Sequence, residues 1–333
     1  MSTNRSLRMA SLVVPMLNES GYIERCLESL AAQTVGTEHL DVIVADGGST
    51  DGSRQWVDSY AKEHPWVRVV DNPRRKASAA FNIGMDEARG EVFGLFSSHG
   101  EAAPDFIERS FEVLCESGAG GVGGRCPHEG GDPWGQAIGL AMMSPFGMAS
   151  PTRNVTTRRD VDTIIHPLYW TELARAVGHF DERLERNSDY EFNYRMRQAG
   201  HRLVADPGIR SVYRPRGSLR ALGRQFWHYG RWKSRVIRQH PGSVKARHLV
   251  PPAAVAGVAL SPAVARTRTG RRLLALGAVG YLSAALAAAR ATRPQDHHTT
   301  VGRVAACFPV MHFMWGAGLL ASTVEDFVRK GEQ

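Results

Sequence analysis

Short apolar runs alternate with helical patterns over the first third of the chain, and this alternation constrains the fold more than any other feature. The runs that predict buried strands are residues 11–15, 40–45, 67–70 and 91–96. Amphipathic helical patterns occupy the segments between them, at residues 21–34, 53–64 and 78–88. Regular alternation of strand and helix is typical of an α/β fold with a doubly wound, mostly parallel sheet.

Polar motifs follow the first two predicted strands, where such sheets bind ligands. Pro15-Met-Leu-Asn18-Glu19 ends the first strand, and Asp46-Gly-Gly-Ser-Thr-Asp51 ends the second. The glycines allow a sharp turn, and the Asp46 carboxylate can accept hydrogen bonds from a base N–H or from ribose hydroxyls. We therefore expect Asp46 to bind a ligand, whereas Asp51 equally suits the start of the next helix.

Two further polar clusters lie later in the chain. Ser97-Ser-His99-Gly-Glu101 follows the fourth strand, and Asn187-Ser-Asp189-Tyr-Glu191 is predicted to open an amphipathic helix. A carboxylate near a helix N-terminus, as at Asp189, is also compatible with a purely structural capping role. Between these clusters, the Gly- and Pro-rich region 118–170 is predicted to form strands and loops that shape an acceptor cleft.

These motifs together resemble the family 2 glycosyltransferases, which have the GT-A (nucleotide-diphospho-sugar transferase) fold. The resemblance is carried by Pro-x-x-Asn-Glu, Asp-Gly-Gly-Ser-Thr-Asp and Asn82-x-Gly84-x-x-x-Ala88-x-Gly90. Residues 186–200 and Gln225-Phe-Trp-His-Tyr-Gly-Arg-Trp-Lys233 are similar to the ExoA-type branch of succinoglycan and exopolysaccharide biosynthesis. The resemblance extends over residues 11–241. It implies an inverting, hexosyltransferase-type enzyme that moves a sugar from a nucleotide sugar, expected to be a UDP-sugar, to a lipid-linked oligosaccharide.

The resemblance also implies roles for individual residues. Asp189 would be the catalytic base, and Glu191, Gln225 and Trp232 would lie around the acceptor or support the base. The residues implied in donor binding are Pro15, Asn18, Glu19, Asp46, Lys76, Asn82, Ser97, His99 and Arg231. A carboxylate that removes the proton of an acceptor hydroxyl contributes about 10²–10⁴-fold in rate, and inverting transfer needs only one such group.

The chain departs from the family pattern at the Asp-x-Asp that usually holds Mg²⁺ or Mn²⁺, because Ser97 and His99 occupy the two positions. Serine is a weak ligand for a hard divalent cation. Three interpretations stay open. The cation binds through His99 and the diphosphate, or arginines such as Arg231 replace it, or the chain is a catalytically impaired subunit that binds nucleotide sugars as a scaffold.

The C-terminal third is basic and apolar. The net charge is +8, and we expect a GT-A domain at residues 1–217, a basic amphipathic connector helix at 218–247 and a membrane-associated helical tail at 248–333. Three low-charge stretches, residues 249–265, 273–289 and 304–322, are near the minimum length for a membrane span. Arginines between the first two favour a cytoplasmic loop, although a soluble helical subdomain remains an alternative.

The expected location is the cell membrane, with the catalytic domain in the cytoplasm. No apolar signal stretch precedes the first strand, and the four cysteines show no close pairing typical of a zinc site or a disulfide framework. The basic charge also suits nucleic acid, but no nucleic-acid-binding motif accompanies it. We therefore expect a nucleotide sugar, a lipid-linked acceptor and a membrane as partners, and no nucleic acid.

Overall fold

The computed structural model describes residues 6–148, 155–215, 217–245, 248–292 and 300–331. The chain divides into two compact units. The N-terminal unit comprises Met1–Pro127 and Pro151–Tyr213, and the C-terminal unit comprises His128–Ser150 and Arg214–Gln333.

The N-terminal unit is built on a sheet of nine strands among its described residues, in the order β3-β2-β1-β4-β8-β6-β9-β5, with β7 paired to β9. The strands are β1 Ala10–Met16, β2 Leu40–Asp46, β3 Val67–Asp71, β4 Val92–Leu95, β5 Gly100–Ala102, β6 Gly121–Arg125, β7 Arg159–Asp160, β8 Leu168–Trp170 and β9 Leu203–Tyr213. The helices are α1 Ile23–Ala31, α2 Ser53–Glu63, α3 Ala77–Glu87, α4 Phe106–Ser117, α6 Thr171–Val177 and α7 Ser188–Gln198.

The first four strands are parallel, and their register brings their carboxyl ends to one edge. Met16 pairs with Asp46, and Asp46 pairs with Asp71, while β4 runs parallel to β1 on its other side. Both faces of β1 and β2 are covered, because alternate residues such as Leu12 and Val13 belong to separate buried clusters. The parallel strands and the coverage of both faces confirm the predicted doubly wound sheet. Strands buried on both faces appear in the sequence as continuous apolar runs.

The C-terminal unit is helical. Its helices are α5 Pro133–Met143, α8 Leu219–Gln239, α9 Val250–Val264, α10 Arg268–Ala291 and α11 Val301–Gly331. Helix α8 lies inside the connector predicted at 218–247 but ends at Gln239, and Ser218 caps it by accepting a hydrogen bond from the Ala221 N–H at 3.2 Å. Two segments, Arg268–Ala291 and Val301–Val328, are long and apolar enough to cross a membrane.

Helix α5 contradicts the prediction of strands and loops alone across residues 118–170. Asp132 caps it by accepting hydrogen bonds from the N–H groups of Trp134 and Gly135, and a proline at the first position is well suited to a helix start. Gly139 lies so close to the backbone of His128 that an added Cβ would be 2.3 Å from its carbonyl oxygen. Gly139, one of the glycines that suggested loops, therefore serves close packing inside a helix.

Candidate active site

The loops after β1 and β2 are locked to each other at the carboxyl edge of the sheet. The Asn18 backbone adopts φ +57°, and its N–H donates to Ser49 Oγ at 2.9 Å. The Asn18 side chain accepts a hydrogen bond from the Thr50 N–H at 2.8 Å. Two of the sequence motifs thus form one rigid rim above the strand ends.

Asp46 is a buried carboxylate at this rim. It accepts hydrogen bonds from Ser49 Oγ at 2.6 Å and from the Ser49 N–H at 3.1 Å. The Arg54 guanidinium lies 3.4 Å from Asp46 and also binds Asp71 at 2.7 Å and Asp58 at 3.0 Å. The hydrogen bond with Asp71, helped by Asp58 and Asp46, raises the pKa of Arg54, so Arg54 remains a cation that compensates the buried charge. Arg54 was not identified from the sequence, where only its i,i+4 spacing to Asp58 gave a signal.

Asp51 has the structural role that was one of its two predicted interpretations. Its carboxylate accepts hydrogen bonds from Ser53 Oγ at 2.5 Å and from the Ser20 N–H at 3.0 Å. The hydrogen bonds from Ser53 and Ser20 lower the pKa of Asp51. The helix N-cap itself is Gly52, so Asp51 stabilises the turn that leads into α2 rather than capping the helix.

Glu19 and His99 form a pair between the loops after β1 and β4. Glu19 Oε2 lies 2.7 Å from His99 Nε2, and their side chains are only 12% and 8% exposed. The His99 ring lies against Tyr22, with ring centroids 4.0 Å apart, and stacks with Tyr213 at 5.8 Å. Ser97 Oγ accepts a hydrogen bond from the His99 N–H at 3.2 Å. Ser97 therefore shapes the turn that presents His99.

A divalent cation fits this pair only in part. Carboxylate suits Mn²⁺ and Mg²⁺, whereas imidazole suits transition-metal ions rather than Mg²⁺, and within the described residues no group of three or more His, Cys, Asp or Glu side chains is arranged to hold a metal ion. Glu19 and His99 can supply two ligands at most. Further oxygen ligands would have to come from the diphosphate of a bound nucleotide or from water.

Residues of α3 and of the loop before it bind the segment that leads into α7. Asn82 Nδ2 donates to the Phe180 carbonyl at 3.0 Å and to Glu182 at 2.9 Å, and Asn82 Oδ1 accepts from the Phe180 N–H at 2.7 Å. Lys76 Nζ donates to the Glu182 carbonyl at 3.0 Å, and Arg74 pairs with the Glu182 carboxylate. Asn82 and Lys76 thus have structural partners, and their contact with a nucleotide stays a prediction.

Arg75 approaches the Asp46-Gly-Gly turn from the loop before α3. Its guanidinium is so close to Gly48 that an added Cβ would lie 3.1 Å from Arg75 Nη2. Gly48 also adopts φ +83°, which favours glycine. No ion pair joins Arg75 to any residue in the described part of the chain, and the side chain is exposed.

Asp189 is exposed in the first turn of α7. A carboxylate there is favoured by the helix dipole, and Asn187, with φ +63°, occupies the N-cap position. Burial raises the pKa of the Tyr169 hydroxyl, and the charge of Asp189 adds to that effect. Asp189 therefore acts electrostatically on Tyr169, whose hydroxyl donates to Asn193 Oδ1 at 2.8 Å.

Glu191 points into the N-terminal unit instead. It is buried and pairs with Arg195 through two hydrogen bonds of 2.7 and 3.0 Å. Arg195 also donates to the carbonyls of Val177 and His179. Glu191 thus anchors α7 and fits the predicted supporting role better than direct contact with an acceptor.

Three predicted site residues lie on α8 in the C-terminal unit. Arg231 forms a bidentate pair with Glu325 at 2.9 and 2.7 Å. Gln225 donates to Tyr229 Oη at 2.8 Å, and the Arg235 guanidinium lies 4.1 Å from the centre of the Trp232 ring. These contacts are internal to the unit, so the roles predicted for these residues with donor and acceptor stay predictions.

Similarity to known proteins decides the family. The family model described as "Glycosyl transferase family 2" matches residues 11–174. The chain is 31% identical to the succinoglycan biosynthesis protein ExoA of Rhizobium meliloti (strain 1021), over 99% of each chain. The chain belongs to glycosyl transferase family 2. This family 2 glycosyltransferase is also 26% identical to a dolichyl N-acetyl-alpha-D-glucosaminyl phosphate 3-beta-D-2,3-diacetamido-2,3-dideoxy-beta-D-glucuronosyltransferase of Methanococcus voltae, over 70% of this chain and 75% of that relative.

Solved structures confirm the GT-A fold of this family 2 glycosyltransferase. The mannosyltransferase PcManGT from Pyrobaculum calidifontis, in complex with GDP-Man and Mn²⁺, has a TM-score of 0.67 and 20% identity, over 97% of this chain and 88% of that chain. GalNAc-T7 with UDP, GalNAc and Mn²⁺ has a TM-score of 0.52 and 17% identity, over 72% of this chain and 51% of that chain.

Proposed function

We propose that this glycosyltransferase moves a sugar from a nucleotide-sugar donor to a lipid-linked glycan, with inversion of the anomeric centre. The reaction would take place in exopolysaccharide or cell-surface polysaccharide synthesis. The observation that carries the proposal is the joining of three strand-end loops at one edge of the sheet. Asn18 binds the loop of Ser49 and Thr50, and Glu19 pairs with His99. Such an edge is where doubly wound sheets bind nucleotides.

Asp46 and Arg75 are suited to two parts of the donor, its nucleoside and its diphosphate. The Asp46 carboxylate is held by Ser49 and Arg54 and accepts hydrogen bonds from the nucleoside. Arg75, which approaches Gly48, provides a cation for the diphosphate. We propose a UDP-sugar as donor, and GDP-sugars are the alternative because one solved relative binds GDP-Man.

His99 would hold a divalent cation, with Glu19 orienting its imidazole ring, and the cation would support departure of the nucleoside diphosphate. When bound, the cation neutralises negative charge on the leaving group. The two solved relatives that contain Mn²⁺ support this proposal. Asp189 serves as the base for the acceptor hydroxyl, since it is exposed at a helix N-terminus.

A lipid-linked acceptor and a membrane location are supported by two observations. One relative acts on a dolichyl phosphate-linked sugar, and another is a succinoglycan biosynthesis protein. The C-terminal unit also has two helices apolar enough to enter a membrane. We propose that the N-terminal unit lies on the cytoplasmic side, where nucleotide sugars are made.

Transfer to lipid tests the proposed function directly. Membranes that contain the full chain are incubated with UDP- and GDP-hexoses labelled in the sugar and with a polyprenyl-diphosphate-linked oligosaccharide. We expect label in the lipid extract and, by NMR, an anomeric configuration opposite to that of the donor. Release of free sugar alone, or a retained configuration, would overturn the proposal.

A further inference from the structure

Helices α9 and α10 form a hairpin whose apolar side chains are exposed. At its base, Gly316 of α11 lies against the backbone of Pro251, and Tyr281 Oη lies 2.9 Å from His312 Nδ1. At its tip, Gly270 meets the carbonyl of Val264, and Thr267 Oγ1 accepts from the Gly270 N–H at 2.9 Å. We call residues 251–281 the apolar hairpin. Each arm has about 13 residues, so the hairpin extends roughly 20 Å from base to tip.

The surface of the hairpin is unlike that of a soluble protein. Six of its large aliphatic side chains are 42% to 68% exposed: Val258, Leu260, Val264, Leu273, Leu276 and Val279. A continuous exposed apolar surface on a protein marks an interaction site. The exposed residues lie all round both helices, which is typical of helices embedded in lipid.

Charge indicates an anionic lipid surface as the partner. Between residues 207 and 295 the sequence has seventeen Lys and Arg and no Asp or Glu. Four of these arginines, Arg266, Arg268, Arg271 and Arg272, lie at the tip of the hairpin, and Arg290 lies at the far end of α10. Basic residues that flank an apolar segment bind the phosphates of anionic lipids.

Helix α11 packs along α8, and this packing argues against a membrane span. Gly230 lies against the backbone of Trp315, Ser234 Oγ is 2.8 Å from Ser322 Oγ, and Arg238 pairs with Asp326. The two helices therefore run parallel over two to three turns. Helix α8 also has six basic residues, Arg220, Arg224, Arg231, Lys233, Arg235 and Arg238. A span along α11 would carry them into hydrocarbon, which is costly.

We infer that the chain is a one-leaflet membrane protein: the apolar hairpin inserts into the leaflet on the side of the N-terminal unit, and neither α10 nor α11 crosses the bilayer. Arginines lie at both ends of α10, and basic residues that flank an apolar helix stay on the cytoplasmic side of a membrane. Both ends of α10 therefore remain with the phosphates of one surface, and the apolar side chains between them reach the acyl chains. The inference rests on the membrane association in the proposed function but not on its donor or acceptor.

Cysteine labelling tests the topology in the full chain. Cys115, the one partly exposed cysteine among the four, is replaced by serine, since the other three are buried. A single cysteine is then introduced at the tip, Thr269→Cys, or in the N-terminal unit, Glu63→Cys, both exposed positions. A membrane-impermeant maleimide is added to inside-out and right-side-out vesicles. We expect both positions to be labelled in the same vesicle preparation.

Other outcomes would overturn the inference. Labelling of Thr269→Cys only in the opposite preparation would mean that the hairpin crosses the bilayer. Labelling only after detergent is added would mean that the tip lies in hydrocarbon. If the wild-type chain remained in the supernatant at low salt, the hairpin would not be an anchor at all.

A matched pair of variants tests which surface binds lipid. Leu276 on the hairpin is 68% exposed and Val324 on α11 is 60% exposed. We expect Leu276→Glu to reduce sedimentation of the full chain with phosphatidylethanolamine–phosphatidylglycerol vesicles at least tenfold, and Val324→Glu to leave it unchanged. Equal losses would contradict the assignment to the hairpin. Thermal stabilisation by UDP-sugars, measured on the same samples, reports on the proposed function separately.

Discussion

Glu19 Oε2 and His99 Nε2 lie 2.7 Å apart, although the two residues belong to loops that follow different strands. An ionised carboxylate can only accept a hydrogen bond, so the Glu19 carboxylate accepts from the Nε2–H of His99 and sets the orientation of the ring. Carboxylates that orient a metal-binding histidine in this way are common beside metal sites, and Tyr22 fixes the ring further.

Glu19→Gln should therefore weaken binding of the cation without destabilising the fold. We expect the Mn²⁺ concentration for half-maximal turnover to rise about 10- to 100-fold, as for other residues that orient metal ligands. The increase in melting temperature that Mn²⁺ gives in the presence of UDP should fall in parallel, which provides a readout independent of turnover. Glu63→Gln, at an exposed position of α2, is the control. An unchanged Mn²⁺ dependence in Glu19→Gln would contradict this role.

Asp189→Asn should abolish transfer while donor binding persists. The amide cannot remove the proton of the acceptor hydroxyl, so kcat should fall about 10²–10⁴-fold, with little change in stabilisation by the donor. Glu185→Gln changes another exposed acidic residue of the same segment and should leave kcat unchanged. Transfer at the wild-type rate in Asp189→Asn would assign the base to another group.

Local pattern predicted the strands well, because each is a short apolar run bounded by turn residues. The runs at 11–15 and 40–45 correspond to β1 Ala10–Met16 and β2 Leu40–Asp46. Helix α5 was missed because the reason for its glycines is tertiary. Gly139 allows contact with the backbone of His128, and no local pattern reveals such a neighbour.

The same limit applies to the candidate site. The sequence identified Glu19 and His99 as members of one site, but their direct pairing depends on how β1 and β4 align. Asn82 and Lys76 belong to a recognisable motif, yet their partner Glu182 lies in a distant segment without a motif of its own. Residue type and motif thus indicated the site, while the hydrogen-bond partners required the folded chain.

Asn82→Ala tests whether this motif residue is mainly structural. The change leaves the carbonyl and N–H of Phe180 without the partners they have in the wild type, and each lost buried partner costs about 1–3 kcal/mol. We expect the free energy of unfolding in urea to fall by about 2 kcal/mol or more. Gln55→Ala on α2, at an exposed position, should change it little. A stable Asn82→Ala protein with a raised KM for the donor would instead favour the predicted nucleotide contact.

Stability at low pH should depend on Asp206. Burial alone would raise the pKa of this carboxyl, but the hydrogen bonds from Arg158 and the Gly208 N–H, with the charge of Arg109, lower it overall. The unfolded chain then binds a proton at a higher pH than the folded chain, so the stabilisation is present above about pH 3.9 and is lost as the pH falls below it. In Asp206→Asn, the free energy of unfolding should therefore fall less steeply than in the wild type as the pH decreases below roughly pH 4. Asp160→Asn removes an exposed pair with Arg202 and should have a smaller effect. Equal slopes for Asp206→Asn and wild type would contradict the prediction.

Removal of divalent cations separates the roles proposed for His99 and Arg231. If the cation neutralises the leaving diphosphate, EDTA should abolish transfer and Mn²⁺ should restore it, because the metal ion supplies the positive charge that stabilises the leaving group. Arg231 is already paired with Glu325, so Arg231→Gln and Glu325→Gln should lower the stability of the chain by similar small amounts, about 0–1 kcal/mol, without a change in donor KM. Transfer that persists in EDTA and fails in Arg231→Gln, but not in Glu325→Gln, would mean that the arginine takes the place of the metal. The comparison of the two partners is decisive, since both variants break the same ion pair and only one removes a cation.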